Sequence, residues 1–98
     1  MRLPNHIRSV QEITEQAALI SGMLDRNAAY LPPTGHEAFW KQTYDGARWN
    51  VGSALDHLAQ MQHPCTQEAG KLQRTAHNRV AFATQLMGDL LTLIEETP

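Results

Sequence analysis

Apolar residues recur at alternating spacings of four and three over residues 40–61 of this 98-residue chain. Such spacing keeps apolar side chains on one face of a helix, turned toward a packing partner. The members of this stripe are Trp40, Tyr44, Ala47, Val51, Ala54, Leu58 and Met61. The opposite face is polar or small except for a second tryptophan, Trp49. The pattern therefore predicts a long central helix with one aromatic side chain on its outer face.

Capping signals and prolines set the predicted helix boundaries. Ser9 and Thr34 each precede a glutamate by three residues, which is the spacing of a capping box at a helix N-terminus. The Pro32-Pro33 pair cannot continue a first helix. A connector around Pro64 separates the second helix from the third, for which Thr66 is the predicted N-cap.

The predicted helices span residues 7–29, 35–62 and 66–95. Because short connectors make successive helices antiparallel neighbours, the predicted fold class is all-α, an elongated antiparallel three-helix bundle formed by all 98 residues as a single domain. We expect the second helix to continue through Asp45-Gly46, since the apolar register keeps its phase across that glycine. The alternative is a turn at this point and a restart with Asn50 as the cap.

The third helix carries a second apolar stripe on the flank of its main one. Phe82, Leu86 and Leu93 form this stripe, so the C-terminal half is apolar over a wider arc than one neighbouring helix covers. A chain this short has little else with which to cover it. We therefore predict that these three residues form an oligomer interface that completes the bundle, with a dimer as the first expectation. The alternative is that they belong to the third helix's part of the core.

Composition and charge narrow the range of partners. A formal net charge of −2 gives no general attraction to nucleic acid. No apolar run reaches the length that crosses a bilayer, so we expect no membrane association and a cytoplasmic location. The single cysteine, Cys65, excludes an intramolecular disulfide.

The sequence lacks the patterns that carry catalysis. There is no glycine-rich phosphate loop and no nucleophile elbow, and the carboxylates are dispersed along solvated faces. His57, His63, Cys65 and His77 suit zinc by residue type, but no pair of them has ligand spacing on one helix face. We therefore predict no enzyme, no metal and no cofactor.

One segment resembles a known family. The stretch from Trp49 to Ala59, WNVGSALDHLA, resembles the tryptophan-to-histidine helix start of DinB-like four-helix-bundle proteins. In that family the histidine is one of three metal ligands, and the other two come from a later helical HxxxH pair. The resemblance implies that His57 is a metal ligand. Here Gln73 and Ala81 stand where a partner of His77 would be, so the implied site is incomplete.

Trp49 is the strongest candidate binding residue. Small neighbours beside a large exposed ring let another backbone or a flat ligand approach closely, and tryptophan is enriched in binding hot spots. The predicted binding residues are Trp49, Arg48, Tyr44, Asp45 and Ser53. The alternative is that Trp49 only covers the edge of the third helix or the Pro32-Pro33 connector.

From these residues we expect a small non-catalytic regulatory protein of bacterial or phage type that occupies a protein partner, as an inhibitor, adaptor or chaperone. Two alternatives stay open. An aromatic side chain beside an arginine suits a small anionic, nucleotide-like ligand, bound by a sponge with sites between subunits. The DinB-like resemblance implies a metal-dependent protein instead.

Overall fold

The computed structural model describes residues 7–61 and 67–96 of the chain. These residues form three helices and no strand, namely α1 (Val10–Arg26), α2 (Glu37–Ala59) and α3 (Gln67–Glu96). All three helices pack against one another. The predicted all-α class is therefore confirmed. None of the three helices described contains an apolar stretch that could span a lipid bilayer.

The predicted capping box fixes the start of α1. The backbone amide of Glu12 donates to Ser9 Oγ at 3.1 Å, and the Ser9 amide donates to the Glu12 carboxylate at 2.8 Å. Because Ser9 has extended backbone, the helix begins with the next residue, three residues later than predicted. It ends at Arg26, where the side-chain amide of Asn27 donates to the Met23 carbonyl at 2.8 Å and closes the last turn. The predicted end at residue 29 was three residues too late.

The predicted N-cap of α2 at Thr34 is wrong. His36 occupies the N-cap position, makes no side-chain capping bond within the described residues, and is followed by the first helical residue, Glu37. The Glu37 carboxylate accepts a hydrogen bond from the backbone amide of Gly35 at 2.7 Å. The backbone amides of Glu37 itself and of Gly35 lower the pKa of the Glu37 carboxyl, because they donate hydrogen bonds to its charged form. Gly35 has a φ of +94°, a conformation that favours glycine, and it turns the chain into α2 two residues after the predicted start.

The second helix is continuous through Asp45-Gly46, as predicted. A β-carbon built at Gly46 would lie 3.2 Å from Leu86 Cδ1 of α3. The glycine thus permits a close approach between α2 and α3, although the sequence pattern placed it on the outer face. The helix ends at Ala59 with Gln60 as its C-cap, so the predicted end at residue 62 was three residues too late. The predicted cap at Thr66 lies outside the described residues.

Small apolar side chains from all three helices fill the core. Alanine at the contact positions lets helix axes come close together. The fully enclosed residues are Ile13, Ala17, Ala47, Ala54, Ala76, Val80, Ala83 and Leu90. Two polar residues of α2, Thr43 and Asn50, are also buried.

The first helix covers only one side of the α2/α3 pair. The side-chain amide of Gln16 donates to Thr84 Oγ1 of α3 at 3.2 Å, and the Tyr44 hydroxyl of α2 donates to the Leu24 carbonyl at 2.8 Å. The molecule measures 49 × 35 × 19 Å, and its shortest dimension is close to two helix diameters. The side of α2 and α3 that faces away from α1 is therefore an outer surface.

Candidate functional site

Three large aromatic side chains stand on the outer surface of α2 and α3. Phe39 and Trp49 belong to α2 and Phe82 to α3, and 46%, 60% and 50% of their surfaces are exposed. Trp49 contacts Arg79 of α3. Phe39 borders a shallow groove with Asp89, which lies two turns from Phe82 on the same side of α3. We call Phe39, Trp49 and Phe82 the aromatic face.

The contacts of α1 lie on the other side of both helices. On α3 they include Thr84, which is two residues, or about 200° of helix rotation, from Phe82. On α2 they include Tyr44, which is five residues, or about 140°, from Trp49. The aromatic face is thus not covered by α1. Single exposed apolar residues are ordinary on a protein surface, whereas a contiguous apolar patch marks a binding surface.

Trp49 is held in place across the boundary between the two helices. The guanidinium carbon of Arg79 lies 4.9 Å from the centroid of the Trp49 ring. A cation at this distance is attracted to the ring face by about 0.5–1 kcal/mol at an exposed site. The ring is therefore both exposed and oriented, as a binding anchor needs to be.

A groove of about 320 Å³ runs along α2 beside this ring. Its lining residues are Trp49, Gly52, Ser53, Asp56, His57 and Gln60. Nδ1 of His57 lies 2.7 Å from the Ser53 carbonyl oxygen. Because a carbonyl only accepts, His57 donates through Nδ1. The groove thus offers a mixed polar and aromatic surface to a binding partner.

The structure separates the five predicted binding residues. Trp49 and Ser53 share the groove, while Tyr44 and Arg48 turn toward α1. Arg48 donates to Asp25 of α1 at 2.7 Å and to the Tyr44 hydroxyl at 3.1 Å, and it lies 5.5 Å from the Tyr44 ring centroid. Both hydrogen bonds raise the pKa of Arg48, and the one to Tyr44 has the larger effect.

Tyr44 and Arg48 therefore connect α1 to α2, on the flank away from Trp49. Asp45 pairs with Lys41 at 3.0 Å on the exposed surface of α2. Of the predicted set, Trp49 belongs to the aromatic face, Ser53 shares its groove, and Asp45 lies one helical turn from Trp49.

The three predicted interface residues of α3 also have different surroundings. Leu93 is 8% exposed and belongs to the core of the single chain. Leu86 is partly buried and reaches Gly46 of α2. Phe82 alone keeps half its surface exposed. The chain therefore covers two of the three by itself, because α2 approaches α3 closely at Gly46.

Two residues of this surface were not singled out as binding residues from the sequence, Phe39 and Arg79. The sequence signal available for Phe39 was its spacing of seven residues from Gly46, which is itself seven residues from Ser53. This spacing places the three residues on one side of α2. The contact of Arg79 with Trp49 joins two helices, so no local pattern indicates it.

No metal centre is formed by the part of the chain that the structure describes. Across residues 7–61 and 67–96, no group of three or more histidine, cysteine, aspartate or glutamate side chains could hold a metal ion. His77 Nδ1 accepts a hydrogen bond from the Arg8 backbone amide at 3.1 Å. His63 and Cys65 lie outside the described residues.

Comparison of the chain with models of protein families, with curated proteins and with solved structures found no match. A functional proposal for this chain therefore rests on the aromatic face and the groove beside Trp49.

Proposed function

We propose that this protein is a cytoplasmic, non-catalytic interaction protein that acts by occupying a protein partner through its aromatic face. The observation that carries the proposal is the exposure of Phe39, Trp49 and Phe82 on the side of α2 and α3 that α1 does not contact. Trp49 is the proposed anchor, because its ring is oriented by Arg79 and is still 60% exposed.

We also propose that the helices form an antiparallel bundle that is completed by oligomerisation. Gly46 lies next to Leu86, whereas Trp49, which comes later in α2, lies next to Arg79, which comes earlier in α3. Contacts in this order support an antiparallel α2/α3 pair. Of the predicted oligomer residues, Phe82 remains available for a contact between copies.

A small anionic ligand has weaker support as the occupant of this site. Arg48, the arginine expected to hold it, is paired with Asp25 on the flank facing α1. A ligand stacked on Trp49 would meet Arg79 but also the carboxylate of Asp56 in the same groove.

Affinity co-purification from the cells that naturally express the protein tests the proposal. Tagged wild type, Trp49→Ala and Leu19→Ala would be compared by quantitative mass spectrometry. Leu19 is the matched control, since it is 55% exposed but lies on α1. A partner protein that is retained by wild type and Leu19→Ala and lost with Trp49→Ala is the expected result. Recovery of the same proteins with all three variants would refute the role of Trp49.

A further inference from the structure

We infer that the aromatic face is covered by a second copy of this chain, with the α3 helices of the two copies packed antiparallel. This inference rests on the proposed function, which assigns binding to that face, and it names the occupant.

The outward surface of α3 carries a seam of residues that are polar except for one phenylalanine. Its residues alternate at spacings of four and three, which keeps them in line along the helix. The seam consists of Lys71, Thr75, Asn78, Phe82, Gln85, Asp89, Thr92 and Glu96, and all of these except the half-buried Thr75 are exposed. Phe82 is the only large apolar residue in it and lies at the midpoint of the helix.

Charge is divided between the two halves of α3. Residues 67–81 contain Lys71, Arg74 and Arg79 against one acidic residue, whereas residues 82–96 contain only acidic charged residues. The last turn has no basic residue, so its two glutamates oppose the helix macrodipole. An antiparallel second α3 places the basic half of each copy beside the acidic half of the other and relieves this repulsion.

The spacing of two seam residues selects the register. Lys71 and Asp89 are 18 residues apart, which is five full helical turns, so they project from the same line on α3. In an antiparallel pair that crosses near residue 81, Lys71 of each copy comes within about 3 Å, measured along the axis, of Asp89 of the other. The two Phe82 rings then meet beside the two-fold axis.

Trp49 lies at nearly the same level along the helices as this axis. Gly46 is level with Leu86, so Trp49, three residues later on α2, is level with residue 83 of an oppositely running α3. Phe82 and Trp49 therefore both lie near the centre of the contact, where binding energy is usually concentrated. A parallel pair would instead place Lys71 beside Lys71 and Asp89 beside Asp89.

Because the second copy and a foreign partner use the same face, dimer formation and partner binding compete. The fraction of chains with an open aromatic face then falls as the concentration of the protein rises.

Charge reversal tests the dimer in solution. Sedimentation velocity over a range of protein concentrations at low salt would compare wild type with Lys71→Glu, Asp89→Lys and the double variant. Each single variant replaces two attractive contacts by two repulsive ones, and we expect it to raise the dimer dissociation constant about tenfold or more. The double variant should return it to within about threefold of wild type.

The recovery is diagnostic because the two positions are roughly 27 Å apart within one helix. They can compensate for each other only between copies, and only in the antiparallel arrangement. Lys41→Glu is the control, since Lys41 is an exposed lysine of α2 that pairs with Asp45 outside the seam. Circular dichroism would verify that every variant remains helical, and Phe82→Ala should also weaken the dimer, independently of charge.

Three results would overturn the inference: a monomer at all concentrations, a dimer that is insensitive to both single variants and to Phe82→Ala, or no recovery in the double variant. A monomer that still loses a co-purifying protein on Trp49→Ala would refute the second copy and leave the proposed function standing. Charge recovery together with unchanged co-purification in Trp49→Ala would establish the dimer and refute the foreign partner.

Discussion

The guanidinium of Arg79 lies 4.9 Å from the centre of the Trp49 ring, across the boundary between α3 and α2. This contact covers one face of the indole and leaves 60% of the side chain exposed. An anchor that is already oriented loses less conformational freedom on binding than a mobile one. The packing of α3 against α2 thus orients the exposed Trp49 ring for binding.

Removing the Arg79 side-chain charge should loosen Trp49. We expect Arg79→Gln to increase acrylamide quenching of tryptophan fluorescence and to lower the free energy of unfolding by no more than about 1 kcal/mol. Trp40 changes the signal little, because it is 8% exposed. Arg74→Gln, at an exposed arginine of the same helix, is the control. Equal quenching in wild type and Arg79→Gln would show that the contact does not restrain the ring.

The two glycines of α2 should respond differently to alanine. At Gly52 no described atom lies within 4 Å of an added β-carbon, so Gly52→Ala should stabilise the helix by about 0.5–1 kcal/mol. At Gly46 the added carbon would meet Leu86 at 3.2 Å, so the same gain is offset by displacement of that side chain. Urea unfolding should therefore rank Gly52→Ala as the more stable variant. The reverse ranking would contradict the close approach of α2 to α3.

Asn50 is a buried polar residue whose replacement should stabilise the fold. Its side-chain amide donates to the Gly46 carbonyl at 2.7 Å, but its Oδ1 has no hydrogen-bond partner within the described part of the chain. A buried acceptor left unpaired costs about 1–3 kcal/mol. We expect Asn50→Leu, which has the same branching but a larger side chain, to raise the free energy of unfolding in urea by about 1 kcal/mol. A loss of stability in both Asn50→Leu and the smaller Asn50→Ala would show that the oxygen is paired in solution.

Tyr44 should contribute to stability rather than to binding. Its hydroxyl donates to the Leu24 carbonyl at the end of α1, and Tyr44→Phe removes that bond at a cost of about 1 kcal/mol. Asp25→Asn breaks only an exposed ion pair and should cost less. Partner recovery in the co-purification should be unchanged by Tyr44→Phe, and a loss comparable to that of Trp49→Ala would restore Tyr44 to the binding site.

Much of the fold could be predicted from local signals. The capping box at Ser9 and the unbroken apolar phase across Gly46 are properties of neighbouring residues, and both predictions were confirmed. Thr34 matched the same capping pattern as Ser9, but the left-handed backbone of Gly35 turned the chain into α2 later. A pattern of residue types does not contain that dihedral angle.

The site could be predicted only in part, because it depends on how helices meet. Periodicity put Trp49 on the outer face of α2 correctly, and it is 60% exposed. It could not indicate that Arg48 would pair with Asp25 of α1, or that Leu93 would be enclosed by the chain's own helices. These outcomes depend on the rotation of one helix relative to another, which a single stripe does not fix.

Photocrosslinking in the cells that naturally express the protein tests the central claim most directly. Benzoylphenylalanine would replace Trp49, Phe82 or, as a control on α1, Leu19. We predict covalent adducts to protein from positions 49 and 82 and none from position 19, with an adduct of twice the chain mass identifying a second copy. No adduct from either aromatic position, or equal yields from all three, would contradict the assignment of the aromatic face as the interaction surface.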